Sequence, residues 1–305
     1  MRPAPLVIAL LVAVFAISWA AVLFRLAPGL DPRTAAGWRL VIASTLLLGW
    51  LATRPRSTTQ RARRYPLYVG AAGLAYGVHF GTWVASLGLV PVALSVTAVT
   101  TTPLLLAIVG LVTGRDRPTR RLLSSLALGF AGLTLMAIDA PDQDFTLLGI
   151  LLAVLGAAAM GVYLWLARAA RVSATRDTLS FAAWAALIGG LLLLGSAGLS
   201  GVALGFASPE ELLVVALAAA VPQLVGHSLL TWAVGRTTPT KVALATLGEP
   251  VLAGLIAMVV LGEVLGLLAL LGGLVTLLAV ALALTERAEP TTPDALRPGS
   301  DKSAG

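Results

Sequence analysis

Long apolar runs broken by short polar stretches dominate the chain from residue 6 to residue 284. Ten are read: Leu6–Phe24, Thr34–Leu51, Leu67–Leu89, Val92–Thr113, Leu122–Ile138, Leu147–Leu166, Leu179–Leu194, Leu212–Val234, Val242–Leu261 and Val264–Leu284. A helix crossing hydrocarbon needs roughly 20 apolar residues, whereas a membrane barrel strand alternates apolar and polar positions. These runs are continuously apolar, so the pattern predicts an all-α membrane protein with ten transmembrane helices. The first run is too long for the apolar core of a signal peptide and nine like it follow, so it is expected to remain as a helix.

Composition agrees with a surface that faces lipid. Charged residues are 11% of the chain, against roughly 25% in soluble domains, and the mean hydropathy is +0.94. Cysteine is absent, which excludes disulfides and thiolate-ligated metals. The formal net charge of +7 does not point to nucleic acid, because the charges lie between the apolar runs. With the N-terminus placed inside, all basic residues except Arg25, Arg33 and Arg39 fall in inner segments, including Arg54, Arg56, Arg115, Arg121, Arg168, Arg236 and Lys241. The outer segments collect Asp31, Asp139, Asp142, Asp144, Glu210, Glu211 and Glu263. The positive-inside rule then puts both termini in the cytoplasm. The stretch 286–305 is rich in Pro, Ser and charge, and is expected to be a disordered tail.

The chain also repeats itself. His79 precedes Pro91 by twelve residues, and His227 precedes Pro239 by twelve. Each loop proline leads into a run with a proline inside it, Pro103 or Pro250, and each run closes on a glycine, Gly114 or Gly262. The pairs His79/His227 and Gly114/Gly262 share an offset of 148 residues. Residues 1–141 and 142–285 thus read as two units of five helices. Five is odd, so the second unit lies upside down relative to the first. Inverted repeats are a recurrent design of secondary transporters, with the substrate site near the midplane between them.

At this point the chain resembles the drug/metabolite transporter superfamily, in its ten-helix EamA-type branch. The resemblance is carried by His227-Ser-Leu-Leu-Thr-Trp-Ala-Val-Gly-Arg, Leu247-Gly-Glu-Pro-Val-Leu-Ala, Leu261-Gly-Glu263 and a Gly-rich last helix. A weaker copy in the first half reads His79-Phe-Gly-Thr-Trp83, Thr102-Pro103 and Gly114. Arg39 also sits where the family usually has an arginine. The halves are unequal: Thr102 stands opposite Glu249, and Arg115 opposite Glu263. The resemblance implies a secondary transporter, often an exporter of metabolites, and names no substrate.

Ionisable groups inside a membrane are costly and are read as functional by default. Glu249 lies eight residues beyond Lys241, about 12 Å of helix, and is a candidate for proton coupling or cation binding. Its alternative is a structural hydrogen bond. Pro250 and Pro103 break their helices and free the carbonyls of Thr246 and Val99, as ligands or as kinks repaired by a neighbour. Tyr76, His79 and Trp83 share one helical face, and so do Gln223, His227 and Thr231; the two stripes line the pathway or join helices by hydrogen bonds. Arg39 either anchors a substrate carboxylate, pairs with a buried acid, or snorkels to the outer interface. Thr97, Thr100, Thr101 and Thr102 read as hydroxyls bonded back to their own helix. Gly73, Gly77 and Gly81 form a close-packing stripe, and Trp19 and Tyr163 contribute aromatic surface.

The expected partners are a small-molecule substrate and the lipid bilayer, with coupling to a proton or ion and the oligomeric state left open. No cofactor is expected: no P-loop, metal-hydrolase motif or interior Asp appears, which argues against an enzyme or an ATP-driven pump. The leading function is export of small metabolites, amino acids or related organic compounds, across a bacterial plasma membrane. The alternatives are a carrier of lipids or lipid-linked groups, and a membrane sensor that moves nothing.

Overall fold

The computed structural model describes residues 3–53, 65–90, 92–114, 117–138, 146–173, 178–262 and 264–285. Expectations for Pro91, Asp139, Asp142, Asp144, Glu263, Arg54, Arg56, Arg115 and the tail lie outside the described residues. Eight helices within them are long and apolar enough to cross a membrane. The helices Tyr65–Ser86 and Arg120–Ile138 complete ten spans in the predicted order. Tyr65–Ser86 carries Tyr76, His79 and Trp83.

The ten spans are not all regular. The first consists of Pro3–Ile17 and Trp19–Arg25. It breaks at Ser18, whose hydroxyl donates to Val14 O at 2.7 Å. The fourth consists of Val92–Val99 and Thr102–Thr113. The eighth starts as Pro209–Ala218, widens to a π-helix over Ala219–His227, and ends as Ser228–Val234. The ninth runs through Pro239–Ala245, a 3₁₀ turn at Thr246–Gly248, and Glu249–Leu261. The second, sixth, seventh and tenth spans, Pro32–Ala52, Leu147–Ser173, Thr178–Leu199 and Leu267–Leu284, are continuous.

Packing follows an inverted two-fold relation. Span three packs on spans six and seven, and span eight repeats this on spans one and two. Spans two and seven, four and nine, and five and ten pair across the relation. In the four–nine pair, Val92–Val99 meets Glu249–Leu261 and Thr102–Thr113 meets Pro239–Ala245, so the two run antiparallel. Both spans end on a glycine in the left-handed region, Gly114 at φ 71° and Gly262 at φ 68°, where a side chain would be strained.

Lipid is as apolar as leucine, so the helices gain little by hiding leucine from it and associate instead through close contact between small residues. A Cβ at Gly77 would sit 3.2 Å from Gly189 O, and one at Gly190 would sit 2.9 Å from Gly37 O. Gly73 and Gly81 face Ile188 and Leu193 of the same seventh span, so the predicted stripe is the seam between spans three and seven. The outward faces carry leucines and valines such as Leu11, Leu46, Val112 and Leu274.

Candidate functional site

The breaks in spans four and nine fall at matching places, each just ahead of its proline. Pro103 and Pro250 occupy the first turn of the helical piece that restarts, a position where a missing amide donor costs nothing. The carbonyls they free are not left as ligands. Thr246 O accepts the Glu249 amide. Val99 O lies 3.3 Å from the Thr102 hydroxyl, which also reaches Ala157 O at 3.0 Å. Thr100 and Thr101 bond back to their own helix as well.

The breaks open onto a partly open hollow between the repeats, walled by spans one, three, four, six, eight and nine. Its volume is about 40 Å³, enough for about three waters at the ~10–15 Å³ each requires on this measure. Glu249, His79, His227, Trp83, Thr231 and Tyr163 line it. Glu249 is half-buried, its open part facing the hollow. Among the described residues no donor reaches its carboxylate, while its backbone carbonyl takes a long bond from Ser18 Oγ at 3.4 Å.

The wall is an aromatic cluster with few, specific polar ties. Tyr76 and Tyr163 stack at 4.2 Å between centroids, joining spans three and six. Phe80 sits at the centre, edge-on to Tyr76 at 4.8 Å, to His79 at 4.5 Å and to His227 at 5.1 Å. The two histidines are 6.4 Å apart. His79 Nδ1 lies 2.9 Å from Gly156 O, so the nitrogen carries the proton and donates to that carbonyl. Tyr163 Oη and Thr231 Oγ1 are 2.7 Å apart, and Thr231 also donates to His227 O at 2.9 Å. The indole Nε1 of Trp83 has no acceptor among the described residues.

A second, smaller hollow of about 10 Å³ lies beside Tyr76, Gln223 and His227, lined also by Ser44 and Ser228. It has room for about one water. Gln223 Nε2 donates to Tyr76 Oη at 2.9 Å, and its Oε1 accepts from no described residue. The expected stripe of Gln223, His227 and Thr231 is therefore split: Gln223 faces the small hollow, Thr231 the large one, and His227 both. The cause is the π-helix, whose wider turn around Pro222 shifts the register from the 3.6-residue period assumed for the stripe.

Burial removes one of the three settings expected for Arg39 and changes the one expected for Lys241. Arg39 does not snorkel: it is 0% exposed, with its guanidinium carbon 4.4 Å from the Phe80 centroid and 5.8 Å from that of Phe24. It lies behind Phe80 and not on the wall of the large hollow. Lys241, read as a loop charge, is buried within Pro239–Ala245. Phe80 and Pro222 carried no signal beyond an apolar neighbour of His79 and an extra proline in an apolar run. No three His, Asp or Glu side chains converge among the described residues, so none of them forms a metal cage.

A partly open polar-aromatic hollow at the junction of two inverted five-helix repeats is the architecture of a multi-pass membrane transporter. The chain belongs to the EamA-like transporter family, which matches residues 4–138 and 147–285, one match in each repeat. Among solved structures, one described only as a crystal structure of a protein superposes with a TM-score of 0.73. It shares 18% identity over 92% of this chain and 96% of its own, and so has the same fold. No curated protein matches the chain.

Proposed function

We propose that the protein exports small organic metabolites, amino acids or related compounds, across a bacterial plasma membrane by alternating access, with both termini in the cytoplasm. The observation that carries this is the hollow itself, built from both repeats at the level of the two helix breaks. Its size supports the rocking part of the reading. A space for about three waters admits no metabolite, so a solute enters when the repeats part on one side and leaves when they part on the other. Glu249, which faces the hollow with a carboxylate that no described donor reaches, is the group placed to exchange a proton or cation with the solute. The polar charge pattern of the loops supports the orientation.

The test is a metabolite comparison of medium from deletion and overexpressing strains, followed by flux of the compounds that differ in proteoliposomes. Export predicts solutes that rise outside overexpressing cells and move through the purified protein. Identical media and no flux would overturn it and favour a sensor; transfer of labelled lipid between leaflets would favour a lipid carrier.

A further inference from the structure

Arg39 is a fully buried cation, 0% exposed, whose Nε, Nη1 and Nη2 find no hydrogen-bond acceptor among the described residues. The rings of Phe80 and Phe24 face it, but ring faces offset only part of what desolvating a charge costs. Glu249 does not close the balance. No Glu249 oxygen accepts from the guanidinium. A second idle donor belongs to the same cluster: Trp83, whose Nε1 lacks a described acceptor, packs on Phe24 at 6.1 Å and Phe80 at 6.2 Å. Phe80 and Trp83 both line the large hollow, whereas Arg39 does not and lies behind the Phe80 ring.

We propose that Arg39 is the anion subsite of the transport cavity. The solute carries a carboxylate, which takes the guanidinium fork when the Phe80 ring swings aside, with the Trp83 N–H as an additional donor. The planar fork matches a carboxylate in two parallel bonds. A monoanion fits better than a phosphate, because one guanidinium neutralises one charge and Glu249 already supplies a second carboxyl to the site. This assignment rests on the transport reading above for calling the bound molecule a solute, and its test reads binding alone.

Full-length protein in lipid nanodiscs is titrated with matched pairs, L-phenylalanine and L-phenylalaninamide, L-leucine and L-leucinamide, 3-phenylpropionate and its amide, and with inorganic phosphate. Melting temperature and calorimetry are the readouts. At least one acid is expected to raise the melting temperature and to bind at least about thirtyfold tighter than its amide. Arg39→Met abolishes that preference, while the empty variant melts at or above the wild-type temperature, because an unpaired buried charge has become an apolar side chain. Arg39→Lys keeps the charge, loses the fork, and binds the acid at least tenfold more weakly. Acids and amides that bind alike, no acid that binds, binding of phosphate alone, or an Arg39→Met protein that still prefers acids would each overturn the assignment. Should Arg39→Met fail to fold, the acid–amide comparison on the wild type decides. Acid binding without flux would count against export and leave the subsite standing; flux without an acid preference would do the reverse.

Discussion

Placing alanine at Gly132 is expected to force spans five and ten apart. A methyl group built there lies 2.5 Å from Gly272 O and 2.8 Å from the Thr276 amide nitrogen. Both are backbone atoms, and non-bonded contact distance is about 3.5 Å or more, so the helices must separate by about 1 Å at this point. Overpacking of this kind costs about 3 kcal/mol at the upper end of its usual range. Replacing glycine in a helix returns about 1 kcal/mol of backbone entropy, which leaves a net loss of about 2 kcal/mol. Gly70 supplies the control: nothing lies within 4 Å of a methyl there, so the same substitution keeps only the gain. In a chain of this size each kcal/mol moves the midpoint by about 2 °C. Gly132→Ala is then expected to melt about 4 °C lower, and Gly70→Ala about 2 °C higher. Thermal unfolding in nanodiscs, followed by circular dichroism, measures both. Neither span five nor span ten lines the hollow, so ligand affinity at a temperature where both are folded should not change. Two variants that shift together, in the same direction and by the same amount, would refute the backbone contact.

Three further outcomes follow from the same structure. Glu249→Gln should abolish flux driven by a pH gradient and leave solute exchange largely intact; gradient-driven flux that survives unchanged would give Glu249 a purely structural role. Because the chain contains no cysteine, paired labels at Leu89→Cys and Leu261→Cys, at one end of spans three and nine, report rocking directly: two distance populations that solute redistributes are expected, and one population under all conditions would sink alternating access by rocking. Asp31 caps span two by accepting from the amides of Arg33 and Thr34 and pairs with the Arg33 side chain at 3.3 Å. Partial burial pushes its carboxyl up, but the Arg33 side chain and the two amides together hold it below the ordinary aspartate value. Its contribution is thus present above the unfolded value and lost as pH falls through the lowered one. Asp31→Asn, which keeps a cap, should flatten the acid limb of a stability–pH profile, and an unchanged acid limb would show that the pair contributes nothing.

Much of the architecture was legible because membrane helices advertise themselves one at a time. Each run needs only length and apolarity, and the repeat needs only His79, His227, Gly114 and Gly262 at a common offset. The polar candidates were legible for a similar reason: in an apolar chain His79, His227 and Glu249 stand out whatever their surroundings, and the structure gathers all three around one hollow. What escaped notice was what depends on contacts between spans. The depth of Arg39 along its helix gave no sign of which side it faced, and only packing against Phe24 and Phe80 seals it from the interface. Phe80 looked like an ordinary apolar residue, yet it sits at the centre of the wall. Helical periodicity failed at span eight because it assumes a constant turn, and Pro222 alters that turn. The break at Ser18 was invisible since no proline or glycine marks it.

The widened stretch at Ala219–His227 sets span eight apart from its counterpart in the first repeat. A π turn stores surplus chain, and if it tightens to an ordinary turn the residues beyond it rotate by about 100° for each residue of slack released. His227 sits at the end of this stretch, at the border of the two hollows, where any change of the turn reorients its ring. Span three, the counterpart in the first repeat, is an unbroken α-helix from Tyr65 to Ser86 and holds no such reserve. Between these two counterpart spans, the surplus turn belongs to the second repeat alone.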